Sequence, residues 1–281
     1  MKQLFAIQTN DPTLLRCQLR RLQATLSLPP GEAIGVGFYL DDDLLLTKAP
    51  PKAEPHDLEA MLPQLRSPSL IAVSGATDGA FDAEAIDPFR FRRWVFAMVG
   101  GVEGFDAIRP ALVEKLPPFI ARQIRSATDR EHLFALFLHE LHQLGRIDDP
   151  NLSAEEAARC LRRAIRTLDS LARERGQVRQ TELAAVASNG RALAAARRGL
   201  PLFYGLLEGM ASCEVCDLPA EGTGMDPGDP AAQLHRRAKS VVIVAEPATR
   251  EGFIEVPDGS TLAVGRWLDI TLTPIQGLDE T

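Results

Sequence analysis

Apolar residues recur along this chain in two rhythms, one helical and one of short runs. Leu15, Leu19, Leu22 and Leu26 return at helical spacing; Asp11-Pro12 supplies an N-cap and a helix-starting proline, and Pro29-Pro30 ends the run. The pattern predicts an amphipathic helix after a first strand at Met1–Ile7. Further strands are expected at Ala33–Leu40, Leu44–Thr47, Leu70–Ser74 and Trp94–Gly100, with Pro-rich Ala49–Pro55 as a loop.

The middle third reads as helical. Leu133, Phe134, Phe137, Leu138 and Leu141 form the apolar face of a helix over Glu131–Leu144. Ser153-Ala154-Glu155-Glu156 is a capping box, and Ala157, Leu161, Ala164, Ile165, Leu168 and Leu171 line one face until Gly176. Short strands return at Glu182–Ala187, Ala192–Arg197, Ser240–Glu246 and Leu262–Gly265, with Glu221–Pro230 as a flexible loop. No internal repeat interrupts this order.

At 281 residues the chain can bury a large core. A net charge of −7 repels phosphate backbones, which argues against nucleic acid. Arg20-Arg21, Arg162-Arg163 and Arg197-Arg198 are short and interleaved with acids, so they read as solvated helix faces. Without an apolar run of about 20 residues or a basic-then-apolar leader, neither membrane spanning nor export is expected. Four cysteines without a framework spacing fit a reducing cytoplasm, the expected location.

Candidate chemistry is carried by an ordered set of short segments. The chain opens Met1-Lys2-Gln3-Leu4-Phe5, and later reads Asp87-Pro88-Phe89 and Arg93-Trp94-Val95-Phe96-Ala97-Met98-Val99-Gly100. Ile34-Gly35-Val36-Gly37-Phe38-Tyr39, Ala76-Thr77-Asp78-Gly79, Thr128-Asp129-Arg130-Glu131 and Val241–Pro247 with Val256-Pro257-Asp258-Gly259 complete it. In order and spacing these segments resemble class II glutamine amidotransferases of the stand-alone bacterial type. Those proteins start Met-Cys-Arg-Leu-Phe and carry His-Pro-Phe, then Arg-Trp-Val-Phe-Ala-His-Asn-Gly.

The resemblance implies an α+β fold, a four-layer αββα sandwich of two antiparallel sheets flanked by helices, of the N-terminal nucleophile hydrolase type. It implies one class II glutamine amidotransferase-like domain over residues 1–281, with the helical segment at about 105–175 packed outside the sheets and offering a candidate partner surface. It also implies a site whose reactive residues are replaced. In the family the Cys after Met1 attacks the glutamine amide, with its free α-amine as base; here that position is Lys2, whose ammonium is protonated at neutral pH and whose bulk is expected to retain Met1. The oxyanion Asn becomes Val99, leaving only the Gly100 N–H of two donors, a loss worth roughly 10²–10³ in turnover. The preceding family His becomes Met98, and the Arg that clamps the substrate carboxylate becomes Ser74. Thr77 and Asp129 persist; Asp129 matches the residue that holds the substrate amine but also suits a helix N-cap.

Other motifs have ordinary readings. Cys213-Glu214-Val215-Cys216 is a lone CxxC, the only weak metal candidate: structural zinc takes four ligands, and the additions considered, Cys160 and His235, have no recommending spacing. A redox role is opposed by the flanking Glu214. His139 and His142 are three apart, not the four a zinc-protease helix requires, and His132 shares their helix. Cys17 reads as a helix-face or core cysteine. Asp78, Asp82, Glu84 and Asp87 read as solvated loop carboxylates, with an altered acid–base cleft as the competing reading.

Together these readings predict an inactive amidotransferase-like protein serving as a binding, scaffold or regulatory subunit, with no cofactor and no catalytic residue. The alternative is an amide hydrolase or amidotransferase with a remodelled, non-cysteine site in the same cleft. Partners left open are another protein, a second copy of the chain, or a small amino-acid-like ligand; nucleic acid and membrane are not expected.

Overall fold

The computed structural model describes residues 3–23, 26, 28–76, 81–176, 181–219, 228–247 and 249–275. The first strand, β1 (Gln3–Thr9), leads through a 3₁₀ turn at Pro12–Leu14 into α1 (Leu15–Leu22). The Asp11 carboxylate accepts from the Thr13 N–H and so caps that turn. Then follow β2 (Ala33–Leu40), β3 (Asp43–Ala49), α2 (Leu58–Met61), β4 (Ser69–Gly75), β5 (Phe89–Phe91) and β6 (Trp94–Gly101). Four helices form the middle of the chain: α3 (Phe105–Lys115), α4 (Pro118–Ala121), α5 (Asp129–Gln143) and α6 (Ala154–Glu174). The last part runs β7 (Glu182–Ser188), β8 (Leu193–Arg198), β9 (Phe203–Glu208), α7 (Pro230–Arg236), β10 (Lys239–Val244), β11 (Phe253–Glu255), β12 (Ser260–Val264) and β13 (Ile270–Pro274).

The strands form two antiparallel sheets, one ordered β11-β9-β10-β1-β4-β2-β3 and the other β13-β12-β8-β7-β6-β5. Because side chains alternate along a strand, each sheet offers two apolar faces, and both are covered. In β1, Leu4 and Ala6 face the second sheet, while Phe5 and Ile7 pack with Leu15, Leu19 and Leu22 of α1 and Leu58 of α2. In β6, Val95, Ala97 and Val99 face the first sheet, while Trp94, Phe96 and Met98 pack on the helix layer with Phe134, Phe137 and Leu161. The result is helix, sheet, sheet, helix, as expected, with the long helices outside the second sheet.

The sheets approach closely because the inner positions are small. Ala184, Ala195, Ala97 and Ala6 lie in the inter-sheet layer. Gly35 and Gly37 bring β2 nearer still: a Cβ on Gly35 would stand 2.0 Å from the Asp87 carbonyl oxygen, and one on Gly37 would stand 2.6 Å from Val95 Cγ2. At one end the layer is closed by polar groups. The buried Tyr39 hydroxyl lies 2.8 Å from the carbonyl oxygens of both Arg93 and Ser188, donating its one proton between them. The Ser188 hydroxyl donates to Ser69 Oγ at 3.1 Å, joining the sheets a second time.

Several expectations need correction. Phe89–Phe91, Phe203–Glu208, Phe253–Glu255 and Ile270–Pro274 are strands that the periodicity did not predict. Asp129 is not the N-cap of α5: Thr128 is, its hydroxyl accepting from the Glu131 N–H. Arg198 is no solvated helix residue but a buried strand residue, donating from Nη2 to Asp169 Oδ1 at 2.9 Å and from Nε to the Thr181 carbonyl at 2.6 Å. His132, unlike the partly exposed His139 on the same helix, is buried and packs against Phe105. Pro230 begins α7 instead of ending a loop, whereas 220–227 lie outside the described residues. No helix among the described residues is long and apolar enough to cross a membrane.

Two substitutions test this packing. Gly35→Ala drives a methyl into backbone, and we expect a loss of about 3 kcal/mol or more in urea unfolding. Ser153→Ala removes half of the capping box on α6 and should cost only about 1 kcal/mol on the same measurement.

Candidate functional site

Of the positions singled out by sequence, Ser74 lies at the end of β4 and Val99 and Gly100 at the end of β6. Gln3 pairs with Ser74, and Ile34 of β2 pairs with Ser74 from the other side. Val99 packs into the inter-sheet layer with Leu4 and Val73. Lys2, Thr77 and Asp78 lie outside the described residues.

Ser74 is almost wholly buried, and its hydroxyl donates to Glu32 Oε2 at 2.9 Å. Glu32 is itself buried, and its carbonyl lies 3.0 Å from His56 Nε2. Sequence reasoning missed Glu32, because nothing in the sequence pattern ties it to a strand two segments away. At the end of β4 the structure therefore places a hydroxyl bonded to a buried acid, and a hydroxyl cannot form the bidentate pair that a guanidinium forms with a carboxylate.

Met98 and Val99 do not share a surface. Alternation along β6 turns Val99 toward the first sheet and Met98, with no exposure at all, into the helix layer. Met98 thus belongs to the helix layer and not to the inter-sheet layer. Val99 carries no polar atom beyond its backbone, so it cannot donate to an oxyanion. Gly100 follows at φ +97°, and a Cβ there would lie 2.2 Å from the Glu182 carbonyl oxygen, so the turn admits only glycine.

Asp129 holds that turn to α5. Its Oδ2 accepts from the Val102 N–H at 2.7 Å, and its Oδ1 accepts from the Arg130 N–H at 2.9 Å. Its side chain is mostly buried. Arg130 Nη1 also stands 3.9 Å from Oδ1, so this carboxylate has two backbone donors and a cation beside it.

Asp87, read from sequence as a solvated loop acid, is buried and engaged. Oδ1 accepts from the Met98 N–H at 3.1 Å, and Oδ2 accepts from Arg130 Nε at 2.7 Å. Arg130 Nη2 also donates to the Ala85 carbonyl at 3.1 Å. The pair ties the 85–88 segment to both α5 and β6. Asp82 and Glu84 are exposed, as expected, with Asp82 Oδ1 accepting from the Glu84 N–H.

The cysteines do not supply a substitute nucleophile at this end. Burial pushes the Cys160 thiol up to about 12, and it sits on the core-facing side of α6. Burial also raises the Cys17 thiol, which lies with Cys213, Cys216 and His235 rather than with Ser74 or Gly100.

Comparison with known proteins places this geometry. No protein-family model matches the chain. Over 148 residues, half of the chain, it is 28% identical to the probable glutamine amidotransferase DUG3 of Saccharomyces cerevisiae. The match spans 41% of the yeast protein, well under two thirds of its length. Among solved structures, a glutamine aminotransferase class-II domain protein from Silicibacter pomeroyi superposes with a TM-score of 0.60 and 21% identity, covering 98% of this chain and all of the other. A predicted glutamine amidotransferase from Pseudomonas aeruginosa PA01 gives 0.55 and 17%, over 96% of this chain and 98% of that one. The glutamine phosphoribosylpyrophosphate amidotransferase of B. subtilis gives 0.56 and 14%, over 98% of this chain and 49% of that one. The chain therefore has the two-sheet, helix-flanked fold of glutamine amidotransferases of the N-terminal nucleophile hydrolase type.

Proposed function

We propose that this protein is a class II glutamine amidotransferase-like protein that does not hydrolyse glutamine and instead acts as a binding, scaffold or regulatory subunit. The observation that carries the reading is the buried Ser74–Glu32 hydrogen bond. Glutamine hydrolysis in this fold needs a nucleophile, an oxyanion donor and a cation for the substrate carboxylate. Lys2, Val99 and Ser74 stand at those three places. They lie in separate segments, so one local change does not account for them. A serine hydroxyl engaged with Glu32 at the carboxylate position cannot replace a bidentate guanidinium, so substrate binding is weakened beyond the loss of the chemistry.

The competing reading, new amide chemistry in the same cleft, needs an acid or base within reach of a ligand. Asp87 is the buried carboxylate at a motif position, and its two oxygens are already committed to Met98 N–H and Arg130. That engagement supports a structural role. What persists, Asp129 with the Gly100–Val102 turn, supports retention of the cleft's shape and of a small amino-acid-like ligand as an occupant. The cytoplasm and a single domain over 1–281 remain part of this reading.

Purified protein at high concentration should release no glutamate from glutamine, and Lys2→Cys alone should not restore release. Turnover by the unmodified protein would overturn the reading; turnover by Lys2→Cys would mean that the pocket still accepts substrate despite Glu32. For the buried ion pair, Asp87→Ala leaves the Arg130 guanidinium without its carboxylate and should destabilise the fold by about 3 kcal/mol in denaturant unfolding. A double-mutant cycle with Arg130→Met should recover much of that loss, as a structural pair requires and a catalytic acid does not.

A further inference from the structure

Far from the cleft, four side chains with metal-binding atoms meet. The segment between Gly209 and Ala238 leaves the first sheet after β9 and returns at β10, where Lys239 pairs with Glu208 and Ser240 pairs with Thr9. That is the end of β1 opposite Gln3 and Ser74. Cys213 and Cys216 bracket a 3₁₀ turn over Glu214–Cys216, closed by an antiparallel bridge in which Cys213 N–H donates to Leu218 O at 2.9 Å and Leu218 N–H donates to Cys213 O at 2.8 Å. Asp217 completes the turn at φ +52°. Cys17 approaches from α1 and His235 from α7.

One ligand atom from each of Cys17, Cys213, Cys216 and His235 falls within 4.8 Å of every other. Cys17 Sγ and Cys216 Sγ are 3.5 Å apart, and all the cysteines are free. A disulfide needs about 2.05 Å. Two thiolates on a tetrahedral zinc at about 2.3 Å each stand about 3.8 Å apart. The spacing is that of co-ligands rather than of a bond.

His235 is the independent observation. It is 2% exposed, and its Nδ1 lies 2.7 Å from the Ala231 carbonyl oxygen, one helical turn back. Against an acceptor of that kind Nδ1 carries the proton, which leaves a lone pair on Nε2. Nε2 is buried and has no hydrogen-bond partner. A metal-binding histidine is held in this way, with one nitrogen anchored by backbone and the other presented to the ion.

We propose that Cys17, Cys213, Cys216 and His235 bind one Zn²⁺ in a closed, tetrahedral, structural site. Three sulfurs and one imidazole match the donor preference of zinc, and four protein ligands leave no position for a water or substrate. The ion fastens α1, the Cys213–Cys216 turn and α7 to one another. Their shared core is thin: Leu14, Met210, Leu218, Ala232 and Ala238 are its other buried apolar residues. The role is one of stability at the end of the fold remote from the cleft, and it holds whether or not the cleft is catalytic.

Elemental analysis of the full-length protein, purified reduced and without added chelator, should find one zinc per chain. Cys216→Ser, at an exposed ligand, and His235→Ala should each lose it, whereas Cys160→Ser should keep it. Stripping the metal should lower the melting temperature of the unmodified protein and of Cys160→Ser, but not that of Cys216→Ser. Co²⁺ added to the stripped, unmodified protein should give thiolate-to-cobalt absorption of tetrahedral intensity, a readout that does not depend on any variant folding. Purified protein without zinc that takes up neither Zn²⁺ nor Co²⁺ when reduced would overturn the proposal. So would zinc that persists undiminished in both ligand variants.

Discussion

The close fit of β2 against the second sheet is the constraint on which the rest depends. Here the inner positions of β2 are Ala33, Gly35, Gly37 and Tyr39, and the facing strands offer alanine and valine. The glycines let β2 press against the Asp87–Pro88 segment and against Val95. Asp87 is thereby held where its carboxylate meets both Arg130 and the Met98 N–H. The register of β6, and with it the faces shown by Met98 and Val99, follows from that arrangement.

At the other end of β6 the frame is set by a few buried polar contacts. Asp129 still clasps the turn after β6 through the Val102 N–H, and Gly100 still occupies a conformation closed to other residues. On the facing strand Ser74 bonds the Glu32 carboxylate. A fold can retain such a frame for reasons of packing alone, because Asp129 and Gly100 are also what joins β6 to the helix layer. Architecture and chemistry are separable, and a shared fold does not fix a shared activity.

Much of the fold was legible because both faces of the central strands are buried, so that Ala33–Leu40, Ser69–Gly75 and Trp94–Gly101 stand out as continuous apolar runs. The edge strand β3 was legible as Leu44–Thr47, but the edge strands β5, β11 and β13 were not. Phe253–Glu255 and Ile270–Pro274 are half solvated and too short or too polar to announce themselves. Arg198 was misread for a related reason: its partner Asp169 lies on another element, and sequence shows a charge without showing what neutralises it. Ser74 and Val99 could be singled out by motif spacing, but Glu32 could not. The same limit hid the cysteine–histidine cluster, since Cys17 and Cys213 are brought together only by the return of the chain from β9 to β10.

The pairing of β1 has a further consequence for how the chain comes to be folded. This strand lies at the centre of its sheet, between β4 and β10, with Phe5 opposite Ala72 on one side and Val244 on the other. During synthesis β4 follows soon after β1, but β10 emerges only after the entire helix layer and second sheet have been made. Until then one edge of an apolar central strand has no neighbour of its own to pair with. Such long-range closure is slow and leaves strand edges open to wrong partners. A nascent chain of this architecture thus depends on protection at β1 for most of its time on the ribosome.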